Sequence, residues 1–162
     1  MKVKDRIAFL VEKLRLTPHP EGGFYSETYR SGDCISTDSG KRDLTTAIYF
    51  LLTSENVSKF HRIKSDELWF FHEGSKLTVH TLSEIGHQQY SLGYPSSNAK
   101  TVPQHLVPAN TIFGSSVDEP GSYALVSCVV APGFDFRDFE LFNEQKLITL
   151  FPKHADIIKK LT

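Results

Sequence analysis

The sequence predicts an all-β sandwich or barrel with a short helix at each end of the chain. Three observations carry this expectation. Turn-forming clusters recur through the middle of the chain, at Ser31-Gly32-Asp33, Asp38-Ser39-Gly40, Ser54-Glu55-Asn56, Glu73-Gly74-Ser75, Gly93 to Asn98, Asp118 to Gly121 and Pro132-Gly133. The gaps between them are filled by short runs rich in β-branched and aromatic residues. Two of these runs, Thr46 to Leu52 and Leu68-Trp69-Phe70-Phe71, are apolar on both faces, so the sheets they join must be covered on both sides.

At the N-terminus, Val3, Ile7, Leu10, Val11 and Leu14 recur at spacings of three and four with Lys4, Asp5, Glu12 and Lys13 between them. That pattern is an amphipathic helix ending before Pro18. Strands are expected at 24–30, 44–53, 58–64, 67–73, 76–82, 87–92, 104–108, 111–116 and 122–130, with a further extended stretch near 134–141. Pro152 then precedes a short helix carrying Ile157, Ile158 and Leu161 on one side. The terminal helices or a second copy of the chain would cover the outer apolar faces, and a homodimer is expected because such a patch is a liability for a monomer.

The 162 residues, 40% hydrophobic and 23% charged, read as a single domain over 1–162 with the composition of a soluble protein. The formal charge of -1, from 18 interspersed basic and 19 acidic residues, provides no single-sign field. Nucleic acid and membrane surfaces are therefore not expected partners. No apolar run approaches the roughly 20 residues that span a bilayer, and Met1 to Leu16 alternates charged and apolar residues, so a cytoplasmic location is expected. Cys34, in a polar segment, and Cys128, in an apolar run, read as reduced thiols.

The stretch most informative about chemistry runs from Ser58 to Gly74. His61 is followed by Glu67 six positions on and by Gly74 seven beyond that, across two expected strands joined at 64–66. If these strands form a hairpin, His61 and Glu67 project onto one face, which Trp69 and Phe71 share with Glu67 by alternation. In these residues the sequence resembles the cupin superfamily, whose first motif is Gly-x5-His-x-His-x3-4-Glu-x6-Gly. His61, Glu67 and Gly74 match it, while Ile63 stands in place of the second His. The second motif is approximated by Pro108 to Phe113, with Asn110 for the turn Gly and Phe113 for the His, so two of four usual ligand positions are lost.

A closer resemblance spans nearly the whole chain. The segments 16–25, 47–52, Phe60-His61-Arg62 with Asp66-Glu67, Gln104 to Pro108, 123–126, 131–136 and 138–141 are similar to an uncharacterised cupin family found in bacteria and eukaryotes. That resemblance implies a cupin jelly-roll β-barrel, homodimers, and a pocket related to those of sugar-nucleotide epimerases.

Three readings of His61 and Glu67 follow. As metal ligands they number only two, with the amide of Gln104 a further donor, where a well-held divalent metal needs at least three. As catalysts, His61 is a general base oriented by Glu67, and Tyr123, on the far side of the barrel, is its partner acid, the roles that the epimerase resemblance implies. As structure, the two are a buried, mutually satisfied pair. In the His19 to Tyr25 segment, Pro20, Gly22 and Gly23 read as a rigid turn, with Glu21 and Tyr25 placed to touch a ligand. Trp69, Phe71 and Phe113 read as core that also walls the pocket. The stretch from Phe134 to Glu140 reads as cover for the core, with Glu140 reaching the pocket. His72, His80, His87, His105 and His154 are expected at the surface or in turns. The expected ligand is a small polar metabolite, a carbohydrate or nucleotide sugar, with isomerase or epimerase chemistry or with binding alone.

Overall fold

In the computed structural model, which describes residues 2–95 and 100–162, the middle of the chain folds into two facing six-stranded sheets. The Ser96 to Asn98 part of the expected turn lies outside the described residues. Helix α1 (Val3–Lys13) is followed by β1 (Thr17–Pro18), β2 (Phe24–Arg30), β3 (Cys34–Thr37), β4 (Gly40–Asp43), β5 (Thr46–Thr53), β6 (Val57–Arg62) and β7 (Asp66–Gly74). Then come β8 (Leu77–Ser83), β9 (Gly86–Leu92), β10 (Thr101–Val102), β11 (Gln104–Val107), β12 (Ile112–Ser116) and β13 (Tyr123–Ala131). A 3-10 turn (Phe136–Asp138), β14 (Glu140–Leu141), α2 (Glu144–Leu150), a second 3-10 turn (Pro152–His154) and α3 (Ala155–Lys160) complete the order. One sheet runs β1-β2-β5-β13-β7-β11 and the other β10-β9-β8-β12-β6-β14, with β3-β4 a separate hairpin. This is the jelly-roll barrel that the sequence resemblance implies, with a helix at its start and short helices at its end.

Alternation sorts the side chains. On β5, β7 and β13 the residues Phe50, Leu52, Trp69, Val126 and Cys128 point between the sheets and form the inner core with Val79 and Phe113. The outward residues Leu51 and Leu125 are covered by Leu10 of α1 and by Leu16. On the second sheet Phe60, Leu82 and Ile112 point outward onto Leu147 of α2, Ile158 of α3 and Leu161. The terminal helices thus supply cover for both sheets, and each fully buried Leu or Ile contributes about 1.5–3 kcal/mol. Among the described residues no helix is long and apolar enough to cross a membrane.

Four expectations are corrected. The strands around His61 and Glu67 do not pair as a hairpin: β6 and β7 lie in opposite sheets, and residues 63–65 carry the chain across the barrel between them. The stretch 134–141 is mostly a turn, because Asp135 caps the 3-10 segment by accepting from Arg137 N–H and leaves only two residues to pair. Helix α2 precedes the tail helix, started by Asn143, whose side chain accepts from Lys146 N–H at 2.8 Å. His80 is buried rather than superficial. His87 Nε2 donates to His80 Nδ1 at 3.0 Å and His80 Nε2 donates to Ser116 Oγ at 2.9 Å. Ser116 donates in turn to Asp118 at 2.8 Å. Because the Lys160 ammonium reaches the same carboxylate at 3.0 Å, this chain ties α3 to the sheet. Burial first, then the neighbouring His87, holds His80 at a pKa of about 4.

Gly22 and Gly23 form the tight turn that their sequence implies, with φ of 109° and 74°. The turn is fastened to β6 because Lys59 N–H donates to Glu21 O at 2.7 Å. A Cβ on Gly22 would lie 2.0 Å from Val57 O, so no side chain fits there. Gly22→Ala is expected to cost roughly 2–4 kcal/mol. Urea denaturation checks this against Gly32→Ala, a site with open space around it, which should be near neutral.

Candidate functional site

At one end of the barrel a cavity of about 690 Å³ opens between the sheets. Its walls are Ile48, Phe50, Ile63, Val130, Tyr25, Phe134 and Phe136, and its polar groups include His19, Glu21, His61, Glu67 and the Cys128 thiol. An apolar enclosure with a few convergent polar groups is the usual form of a small-molecule site.

His61 owes its position to an irregularity in β6. Phe113 of β12 pairs with His61 and Ser115 pairs with Ser58, so β6 carries one extra residue between these pairs. Such a bulge re-aims side chains. Here it sends both Ser58 and His61 toward the Glu21 turn while Phe60 still faces outward. Gly114 lies directly opposite, where a Cβ would come within 2.6 Å of Ser58 O.

The hydrogen bonds fix most proton positions. His61 Nδ1 donates to the Lys59 carbonyl at 2.7 Å, which leaves Nε2 facing Glu21 Oε2 at 3.1 Å. Ser58 donates to the other oxygen of Glu21 at 2.8 Å. Nε2 and Oε2 are thus close enough to pass a proton between them. Burial raises the Glu21 pKa and lowers that of His61, so both shifts favour the uncharged forms of the two groups. His19 Nδ1 accepts from Glu21 N–H at 3.2 Å, so the proton of neutral His19 sits on Nε2; burial holds its pKa down. The Phe113 ring backs His61 at 4.2 Å between centroids.

Glu67 enters the same cavity from the opposite sheet. Burial lifts its pKa to about 7, an effect that the nearby His61 partly offsets and the Glu21 charge reinforces. The Trp69 indole and the Cys128 thiol also lie near enough to favour the carboxylate, although Trp69 Nε1 has no hydrogen-bond partner among the described residues. Burial in turn pushes the Cys128 thiol well above its usual value. A carboxyl group half-ionised near neutrality therefore faces a carboxyl–imidazole couple 3.1 Å apart.

Of the residues expected from the sequence, His61, Glu67, Glu21 and Tyr25 meet in this cavity. Trp69 and Phe113 form the packed core behind it, and Phe71 packs further along the barrel against Tyr94. Tyr123 is not in the site. Alternation along β13 turns it outward, where it donates to Glu73 at 2.7 Å beside Arg6 of α1. Gln104 is exposed on the outward face of β11, opposite Phe70. Glu140 accepts from Arg62 and Lys146 on the rim of the other sheet and does not line the cavity. His19, Phe134 and Phe136, which do line it, were legible only as turn or core cover.

The residues present do not assemble a metal site. Both His61 nitrogens are engaged, Gln104 is elsewhere, and no group of three or more His, Cys, Asp or Glu side chains is arranged around a metal position among the described residues.

A family model described as cupin superfamily (DUF985) matches residues 8–142. The chain belongs to this cupin family. The cupin is similar to the solved structure of protein SO0799 from Shewanella oneidensis, at 40% identity and a TM-score of 0.89, over 100% of this chain and 98% of that one. It is equally similar in fold to a hypothetical protein from Leishmania major, at 38% identity and a TM-score of 0.89, covering 96% and 97% of the two chains. An uncharacterized protein of Saccharomyces cerevisiae, YML079W, is 29% identical over 144 residues, which span 80% of this cupin and 71% of the yeast protein.

The raised pKa of Glu67 has a consequence for stability. Between the ordinary value of 4.5 and about 7, the folded cupin holds a proton that the unfolded chain has lost. Stability from this group is full below that window and falls as pH rises through it. Glu67→Gln is therefore expected to gain on the parent across the window, by roughly 3 kcal/mol at most, and to run parallel to it above. Paired urea titrations at pH values on either side of the window test this, and the pairing cancels the contribution of His80.

Proposed function

We propose that this cupin moves a proton on a small polar metabolite of the carbohydrate or nucleotide-sugar class, as an isomerase or epimerase. The observation that carries the reading is the placement of Glu67, with a pKa of about 7, across one cavity from the Glu21–His61 couple. A base is most effective when its pKa lies near the working pH. Glu67, as carboxylate, accepts a proton from a carbon acid of the substrate. The Glu21–His61 couple returns one from the other wall, so the product is an isomer and no oxidant or reductant is consumed. His61, expected as the base, thus serves as acid together with Glu21, which takes the place expected of Tyr123. Apolar walls keep bulk water from quenching the carbanion.

Incubating the protein in deuterated water with a panel of sugars, sugar phosphates and nucleotide sugars, followed by proton NMR, tests the reading. Exchange into one class of substrate is expected, falling about 10²–10⁴-fold in Glu67→Gln and in His61→Gln. Substrates that bind without any exchange in the parent protein would favour a binding or storage role instead.

We also propose that the protein is a homodimer. An apolar row of Tyr29, Ala47, Val129, Leu68 and Leu106 crosses five strands on the outer face of the first sheet, beyond the reach of α1. Tyr29 is 54% and Leu106 44% exposed. A two-fold axis over this row would bury it against itself. Sedimentation equilibrium is expected to give a dimer, and the double variant Tyr29→Glu with Leu106→Glu a folded monomer.

A further inference from the structure

The charged groups at the cavity mouth are matched with partners, with one exception. Arg30 donates to Glu27 at 2.9 and 2.7 Å and to Asp43 at 2.8 Å. Asp135 accepts from Arg137 at 2.9 and 2.6 Å. Deeper inside, Glu21 and His61 face each other at 3.1 Å, and His19 Nδ1 accepts from Glu21 N–H. Arg15 also lines the cavity, and among the described residues it makes no ion pair, not even with Glu12 one turn back on α1.

The backbone of Arg15 is itself unusual. It has a φ of 53°, directly after the residue that ends α1, and its N–H still bonds to Glu12 O at 3.2 Å. Helices favour glycine in this left-handed position, because a side chain there crowds the neighbouring carbonyl. A long cationic side chain is thus held, against local preference, where it borders the cavity. Strain of this kind collects at ligand sites. The Thr17 side chain borders the same mouth from β1, opposite inward-facing Tyr25.

We infer that Arg15, with Thr17, forms an oxyanion subsite at the mouth, so that the ligand carries a phosphate or carboxylate group held there while its uncharged part lies against Glu67. The guanidinium supplies a planar pair of donors suited to either group, and the Thr17 hydroxyl, whose bond to Tyr25 O is long at 3.4 Å, turns to add a third. The placement of the uncharged part rests on the proton-transfer reading; the subsite itself does not.

The test is a pair of NMR titrations of the full chain at constant ionic strength, one with inorganic phosphate and one with acetate, following the Arg15 Nε–H and the Thr17 amide. Saturable shifts are expected with at least one probe, and which of the two binds more tightly identifies the anion. Arg15→Gln should weaken binding about fivefold or more, with Arg15→Lys retaining part of it. Arg15→Gly should lose binding while raising Tm by about 2 °C, since it relieves the left-handed strain. Wild-type affinity in Arg15→Gln, or shifts that spare the mouth, would overturn the subsite. Glu67→Gln should bind the probes as the parent does, so a failure of the exchange experiment and a failure of this one remain distinguishable.

Discussion

Burying ionisable groups inside an apolar barrel is the constraint around which this molecule is organised. Glu21, His61 and Glu67 are all nearly inaccessible to water, and an isolated charge there would cost far more than the fold could supply. Two solutions operate side by side. Glu21 and His61 face each other at 3.1 Å, with Ser58 and the Lys59 carbonyl bonded to their other polar atoms. Glu67 has no such partner among the described residues, and it stays protonated up to about neutral pH. The asymmetry between a satisfied pair and an unsatisfied acid gives the cavity two kinds of proton-handling group.

The local geometry serves the first solution. The Gly22-Gly23 turn presses against β6 so closely that a methyl group could not be added, and the extra residue in β6 turns Ser58 and His61 to meet Glu21. Sequence-distant residues 21, 58 and 61 thereby become one unit. The second solution needs only alternation: Glu67, Trp69 and Phe71 follow one another along the inner face of β7.

What could be read from the sequence follows this division. Helix α1, most strands, and the inward direction of Glu67 and Trp69 were legible because they depend on local periodicity. The partner of β6 was not, because a three-residue link serves a hairpin and a crossing between sheets equally well. Tyr123 was misplaced for a related reason: Ala124, Leu125 and Val126 are all apolar, so the sequence hides which of them face inward and hence which way Tyr123 points. Gln104 and Glu140 are settled only by register, at β11 opposite outward Phe70 and at β14 opposite Arg62. The β3–β4 hairpin, polar and exposed along much of its length, carries no apolar alternation to announce it. Yet it matters to the site, because Arg42 holds Asp138 at 2.7 and 2.8 Å and so anchors the segment that presents Phe134 and Phe136 to the cavity.

His61 and Glu67 are six positions apart in the chain and on opposite walls in space. Their separation is thus a thickness of the barrel, maintained by the girth of side chains such as Trp69 of one sheet and Phe113 of the other, which meet edge to face at 6.2 Å. The interior packing accordingly acts as a calibrated spacer: a bulkier or slimmer residue deep in the core, touching neither group, would retune the acidity of both.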